Sequence, residues 1–263
     1  MKIEGRTFIV SGGASGLGQA TVEEIARNGG NVAVLDLNEE LGAGVVKLLP
    51  EGVGKFFVCD VSDTGSVASA VEGVVGWIKE TGKPMGGIIP AAGVGNPATI
   101  LNRNVDAFSL ESFDFVVNIN LRGTVDLVRQ CLIHLARTEP IGSDEERGVV
   151  IMVSSVAAFD GQMGQVAYSA SKGAVASMTL PMARDLSRYG IRCMTIAPGV
   201  FDSRMTALMP KKLAQGLANI AEFPRRAGRP AEFAQLVRQI IENSMLNGTV
   251  IRLDGGLRMP SKI

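Results

Sequence analysis

A phenol and an amine stand four positions apart in "YSASK", at Tyr168 and Lys172. On a helix, side chains at that spacing leave one face a turn apart. The pairing is chemically useful because a free phenol has a pKa near 10, too high to exchange a proton readily at neutral pH. Bringing it to about 7 takes roughly three units, or about 4 kcal/mol of preference for the phenolate. An ammonium one turn away supplies a field of that sign.

Such a pair needs a frame. Short β-branched runs recur along the chain: "TFIVSG" near 7–12, "NVAVLD" at 31–36, "KFFVCD" at 55–60, "MGGIIPAAG" at 85–93, "GVVIMVSS" at 148–155, "IRCMTIAPG" at 191–199 and "TVIRLDGG" at 249–256. Several are apolar throughout, as strands covered on both faces should be. Helix-like stretches lie between them, at 16–28, 64–80, 112–136, 165–188 and 231–243. The alternation predicts one doubly wound α/β domain over 1–263, with a mainly parallel sheet of about seven strands. Ligands of such sheets bind at the carboxyl ends of the strands. Two excursions, 94–110 and 200–228, leave from that end, while a polar stretch at 138–147 precedes the fifth strand.

The loop "SGGASGLG" at 11–18 joins the first strand to the first helix. Gly12, Gly16 and Gly18 permit a tight turn there, with Ser15 and Leu17 between them, and let backbone amides approach a phosphate at the positive end of the helix. Asp36 closes the second strand, where a carboxylate can accept from the hydroxyls of an adenosine ribose. It would also repel an additional phosphate. Leu37 and Asn38 follow it and Ala14 sits in the loop, so no cation is offered to that phosphate, and NAD is expected in preference to NADP. At the end of the third strand, Asp60 is placed to bond the adenine amino group and Val61 to pack on the ring.

Lys+Arg and Asp+Glu balance at 26 each and 46% of residues are hydrophobic, a composition that predicts a globular core and neither nucleic-acid binding nor a membrane surface contact. Cys59, Cys131 and Cys193 lack the spacing of a zinc site or disulfide framework and are expected as buried thiols. No apolar run reaches the roughly 18 residues needed to span a bilayer, and the strand-like start leaves no room for a leader peptide. His134, in "CLIHLA", is expected to be structural. The ending Ser261-Lys262-Ile263 is close to the Ser-Lys-Leu peroxisomal address, so a peroxisomal location is expected, with a cytoplasmic one as the alternative.

Taken jointly, the glycine loop at 12–18, Asp60-Val61, "AAG" at 91–93, Asn120, Ser155, Tyr168 with Lys172, and "PG" at 198–199 resemble the short-chain dehydrogenase/reductase family over essentially the whole chain. The resemblance implies a Rossmann fold in which Tyr168 is the acid/base of an alcohol–carbonyl interconversion. Lys172 then stabilises the phenolate and bonds the nicotinamide ribose, Ser155 bonds the substrate oxygen, and Asn120 holds a water that links Lys172 to solvent. Ser154 competes for the serine role, although a 13-residue spacing to Tyr168 favours Ser155. Ala91 and Gly93 fall to the cofactor, as do Phe201 and Ser203 against the nicotinamide carboxamide and the pyrophosphate. Ser203 replaces the usual threonine. A larger departure is Pro90, where the family carries asparagine: it removes an amide donor within a strand and puts the local sheet bonding in question.

Closer likeness, through "SVAAFDGQMGQVAYSASKGAV", "MTLPMARDL", "IRCMTIAPGVF" and "NGTVIRLDGGLRM", is to the branch of that family that oxidises 3-hydroxyacyl-CoA and also hydroxysteroids. It implies an NAD-linked homotetramer acting in fatty-acid or branched-chain amino-acid breakdown. Gln162 and Gln165 match positions lining the substrate pocket, or are polar loop residues before the catalytic helix. Met205, Leu208, Met209, Leu213, Leu217 and Ile220 suit either an apolar lid over an acyl chain or ordinary core packing. Lys211 and Lys212 are open to CoA phosphates or to solvent. The alternatives are a dehydrogenase for a steroid, polyol or secondary-metabolite carbonyl, and a non-catalytic NAD-binding scaffold.

Overall fold

Strands that are apolar on both sides need helices on both sides, and the chain supplies them in turn. The structure is a computed structural model and describes residues 1–202, 216 and 220–260. The strands are β1 (Thr7–Ser11), β2 (Asn31–Asp36), β3 (Gly54–Val58), β4 (Met85–Pro90), β5 (Gly148–Val153), β6 (Ile191–Pro198) and β7 (Val250–Leu253). They form one sheet in the order β3-β2-β1-β4-β5-β6-β7. Every pairing is parallel. The described helices are α1 (Gly16–Arg27), α2 (Glu39–Lys47), α3 (Thr64–Thr81), α4 (Leu110–Val117), α5 (Thr124–Leu135), α6 (Val166–Leu186) and α7 (Pro230–Glu242). The order reverses between β1 and β4, and a crevice at the carboxyl ends opens there.

Alternate residues of each strand feed different cores. Phe8 and Val10 pack on the side that receives Val22, Ile25, Phe233 and Val237 from α1 and α7. Ile9 and Ala33 face Val74, Trp77, Leu127 and Cys131 from α3 and α5. The three cysteines are buried free thiols, as expected.

Four sequence expectations change. A helix at Glu39–Lys47 went unread; it is started by Asn38, whose side chain accepts from the Leu41 amide. The third strand runs over Gly54–Val58, earlier than the apolar run suggests. The single helix expected over 112–136 begins at Leu110 and is interrupted by a π-helical turn at Asn118–Gly123. That wider turn carries Asn120, and such turns often mark functional positions.

The fourth concerns Pro90. It pairs with Ser11 of β1, while the β4–β5 ladder ends at Ile88 opposite Val150. Since the Ala91 amide donates to Ser11 of β1, the alternating backbone would aim an amide at position 90 towards β5. Proline therefore shortens one ladder and leaves the other intact.

Candidate active site

Strand β5 and helix α6 meet at the sheet's carboxyl edge and bring the chemistry together. The two serines after β5 have different tasks. Ser154 donates its hydroxyl to the Lys172 carbonyl at 2.7 Å and so fastens α6 to the strand. Ser155 accepts the Ala157 amide at 3.1 Å and bonds the Tyr168 phenol. The two differ in their commitments: the Ser154 proton is held by a backbone carbonyl, whereas Ser155 bonds the phenol.

Lys172 is only 5% exposed. Its ammonium lies 5.8 Å from the centre of the Tyr168 ring and donates to the Val153 carbonyl at 3.0 Å. Burial lowers its pKa from the ordinary lysine value to about 8. Burial also raises the Tyr168 phenol, which the Ser155 hydrogen bond lowers in part. Desolvation is the larger influence on the phenol, and the ammonium is turned to a carbonyl.

Asn120 sits on the opposite wall. Its Oδ1 accepts the Val94 amide at 2.8 Å, and its Nδ2 donates to the Val94 carbonyl at 2.9 Å and to Ser171 Oγ at 3.1 Å. Ser171 in turn donates to the Tyr168 carbonyl at 2.8 Å. Sequence reasoning passed over Ser171; its position on the helix face beside Tyr168 and Lys172 was the available signal. Gly93 lies between Asn120 and Lys172. A Cβ there would stand 3.1 Å from Asn120 Oδ1 and 3.3 Å from Lys172 Nζ, so the gap admits no side chain without a shift.

The nucleotide end follows from α1. Gly12 and Gly16 have φ of 65° and 53°, in the left-handed region. A Cβ on Gly18 would stand 2.1 Å from the Gly12 carbonyl oxygen, so the loop closes only on glycine. Ser15 at the N-cap makes no side-chain capping bond, and no acidic residue occupies the first turn. By contrast α2, α3 and α4 are capped by Asn38, Asp63 and Ser109. The amides opening α1, around Leu17, therefore have no side-chain cap.

Asp36 holds the loop in register, since its carboxylate oxygens accept the Ala14 and Asn38 amides, each at 3.1 Å. Asp60 closes a turn on Ser62 through one oxygen, which accepts both the amide and the hydroxyl. Val61 abuts the π-helical turn, where a Cβ on Gly123 would come within 2.7 Å of its carbonyl. Ala91 caps the same edge with an amide donated to the Ser11 carbonyl. The Phe201 ring is buried, its centre 6.3 Å from that of Phe233, so the ring packs in the core. Ser203, Lys211, Lys212 and all of the lid stripe except Ile220 lie outside the described residues.

A family model described as short chain dehydrogenase matches residues 6–214. The chain belongs to the short chain dehydrogenase family. This dehydrogenase is 44% identical to the 3-hydroxyacyl-CoA dehydrogenase type-2 of Drosophila melanogaster, over 98% of this chain and 99% of that protein. It is 41% identical to the Homo sapiens protein of the same name, over 98% and 97%. A crystal structure of 3-hydroxyacyl-CoA dehydrogenase type-2 from Mycobacterium avium superposes with a TM-score of 0.91 at 33% identity, covering 100% of both chains. In this dehydrogenase the segment before α6 carries Gln162 and Gln165. Gln165 Oε1 accepts the Gln162 amide at 3.0 Å, and Gln162 Nε2 donates to the Pro260 carbonyl at 3.1 Å. Both side chains brace the loop at the mouth of the site.

Proposed function

We propose that this dehydrogenase uses NAD to interconvert a 3-hydroxyacyl-CoA and the corresponding 3-ketoacyl-CoA. The observation that carries the reading is the convergence of Ser155, Tyr168 and Lys172, at the same carboxyl edge of the sheet from which α1 opens without a side-chain cap. The residues fit the cofactor: first-turn amides of α1 suit a pyrophosphate, and Asp36 suits an adenosine ribose. A carboxylate at Asp36, flanked by Leu37 and Asn38, supports NAD over NADP. The substrate is supported by the names of full-length relatives.

Bound NAD supplies the hydride acceptor in oxidation and the donor in reduction. Tyr168 then handles the proton. With its pKa raised by burial it stands protonated, ready to donate to a ketone oxygen. Ser155 directs its hydroxyl at the same point, and the Ala157 amide fixes its orientation. In the alcohol direction Tyr168 accepts the hydroxyl proton; Lys172, 5.8 Å from the ring centre, is the cation that would stabilise the phenolate and would hold the ribose of a bound cofactor. To Asn120, across Gly93 from Lys172, we assign the holding of a water that would link Lys172 to solvent.

Purified protein should consume NADH on addition of acetoacetyl-CoA, prefer NADH to NADPH, and lose turnover with Tyr168→Phe while still binding NADH. No turnover with intact NADH binding would move the substrate to a steroid or another secondary alcohol. The reading extends to a homotetramer, supported by apolar Leu110, Phe115, Val166 and Leu180 exposed on α4 and α6; light scattering tests it. A peroxisomal location rests on Ser261-Lys262-Ile263, outside the described residues, and is tested by imaging with and without those three.

A further inference from the structure

Between Ser155 and Tyr168 the chain leaves the sheet and re-enters on α6, and segment 159–165 makes that passage. It links the serine that bonds the phenol to the helix that carries the phenol. It is held from both sides by distant chain. The Ala98 amide donates to the Gly164 carbonyl at 2.9 Å, which ties the segment to the excursion after β4. From the other side comes Arg252 of β7. Its Nη2 donates to Asp160 at 2.6 Å and to the Leu257 carbonyl at 2.9 Å, while its Nε donates to Asp254 at 2.7 Å. The same guanidinium lies 5.4 Å from the centre of the Phe159 ring. Gln162 adds its bond to Pro260.

We propose that Arg252 and Asp160 form a clamp that positions segment 159–165 over the substrate, so that the C-terminal stretch 252–260 takes part in substrate recognition. The guanidinium is suited to this because its planar fork aims separate N–H groups at two carboxylates in fixed directions, whereas an ammonium offers three rotatable donors from a single point. The pair is four-fifths removed from solvent, with 21% and 20% of the two side chains exposed, so water screens it less than a surface pair. Neither residue touches the reacting atoms. They act through the backbone of the segment and the Phe159 ring.

The substrate effect rests on the acyl-CoA reading, whereas the clamp does not, and the test separates them. Asp160→Asn keeps the shape and removes the charge; Arg252→Lys keeps the charge and removes the fork. Amide hydrogen exchange over 156–165 is compared with that of β1 and β5, and kcat, KM and NADH affinity are measured with acetoacetyl-CoA. Exchange over 159–165 should rise about tenfold in Asp160→Asn with the strands unchanged, and KM should rise at least about fivefold, with kcat and NADH affinity held within about twofold. Arg252→Lys should fall between wild type and Asp160→Asn. Unchanged exchange overturns the clamp, including where wild type fails to turn over acetoacetyl-CoA and the substrate reading is lost. Faster exchange with unchanged KM overturns the recognition role, as does a joint loss of kcat, KM and NADH affinity with lower Tm.

Discussion

Lys172 should make the protein less stable at neutral pH than it would be without the charge, and the size of the cost can be worked out. The ammonium is 5% exposed, and burial lowers its pKa from 10.5 to about 8. In the unfolded chain it regains the ordinary lysine value. Between those two values the unfolded state binds the proton and the folded state does not, so stability rises with pH across that window. A shift of this size corresponds to about 3 kcal/mol, fully felt as a penalty below the folded value and relieved as pH approaches the unfolded one. Lys172→Met removes the titration. It also removes the bond to Val153, an offset of about 1–3 kcal/mol that does not depend on pH. The difference between the two proteins is therefore the readout. Urea unfolding from about pH 7 to about pH 10 should show wild type gaining roughly 2–3 kcal/mol on the variant. The range stops there because the raised Tyr168 pKa acts with the opposite sign above its ordinary value of 10.0. A difference that stays flat with pH would refute desolvation as the state of this ammonium.

Other outcomes follow from the same geometry. Ser155→Ala should lower kcat by about 10²- to 10³-fold with the fold intact, whereas Ser154→Ala, which only unfastens the Lys172 carbonyl, should cost about 1 kcal/mol of stability and much less activity; steady-state kinetics beside urea midpoints separate them. Gly93→Ala should push Asn120 and Lys172 apart, cost about 1–3 kcal/mol and weaken NADH binding, read by NADH fluorescence. Asp36→Ala should narrow the preference for NADH over NADPH in the same titration. Glu146→Gln should destabilise by several kcal/mol, about 3–5 if the Arg192 charge is left unpaired, because Arg192 Nε loses a carboxylate at 2.8 Å in a buried pair; the midpoint shift measures it.

Much of this architecture is written locally. The apolar runs that became β1, β2 and β6 lie on both sides against helices, so their hydrophobicity alone identifies them, and Gly12 and Gly18 mark a loop that no side chain would fit. The spacing of Tyr168 and Lys172 likewise needs only one helix. Other features depend on partners far along the chain. What separates the two serines is the Lys172 carbonyl, 18 positions away, which takes the Ser154 proton. The direction of the Tyr168 pKa was set by burial, a property of everything around the ring. Pro90 does little harm because the ladder it would have extended is the one that stops at Ile88. Asn120 meets Val94 and Ser171, and Arg252 meets Asp160 across 92 positions, only because the sheet order folds those segments together. Periodicity and turn chemistry act over a few residues and can be read there; hydrogen-bond partners and desolvation are sums over neighbours in space, which only the assembled fold specifies.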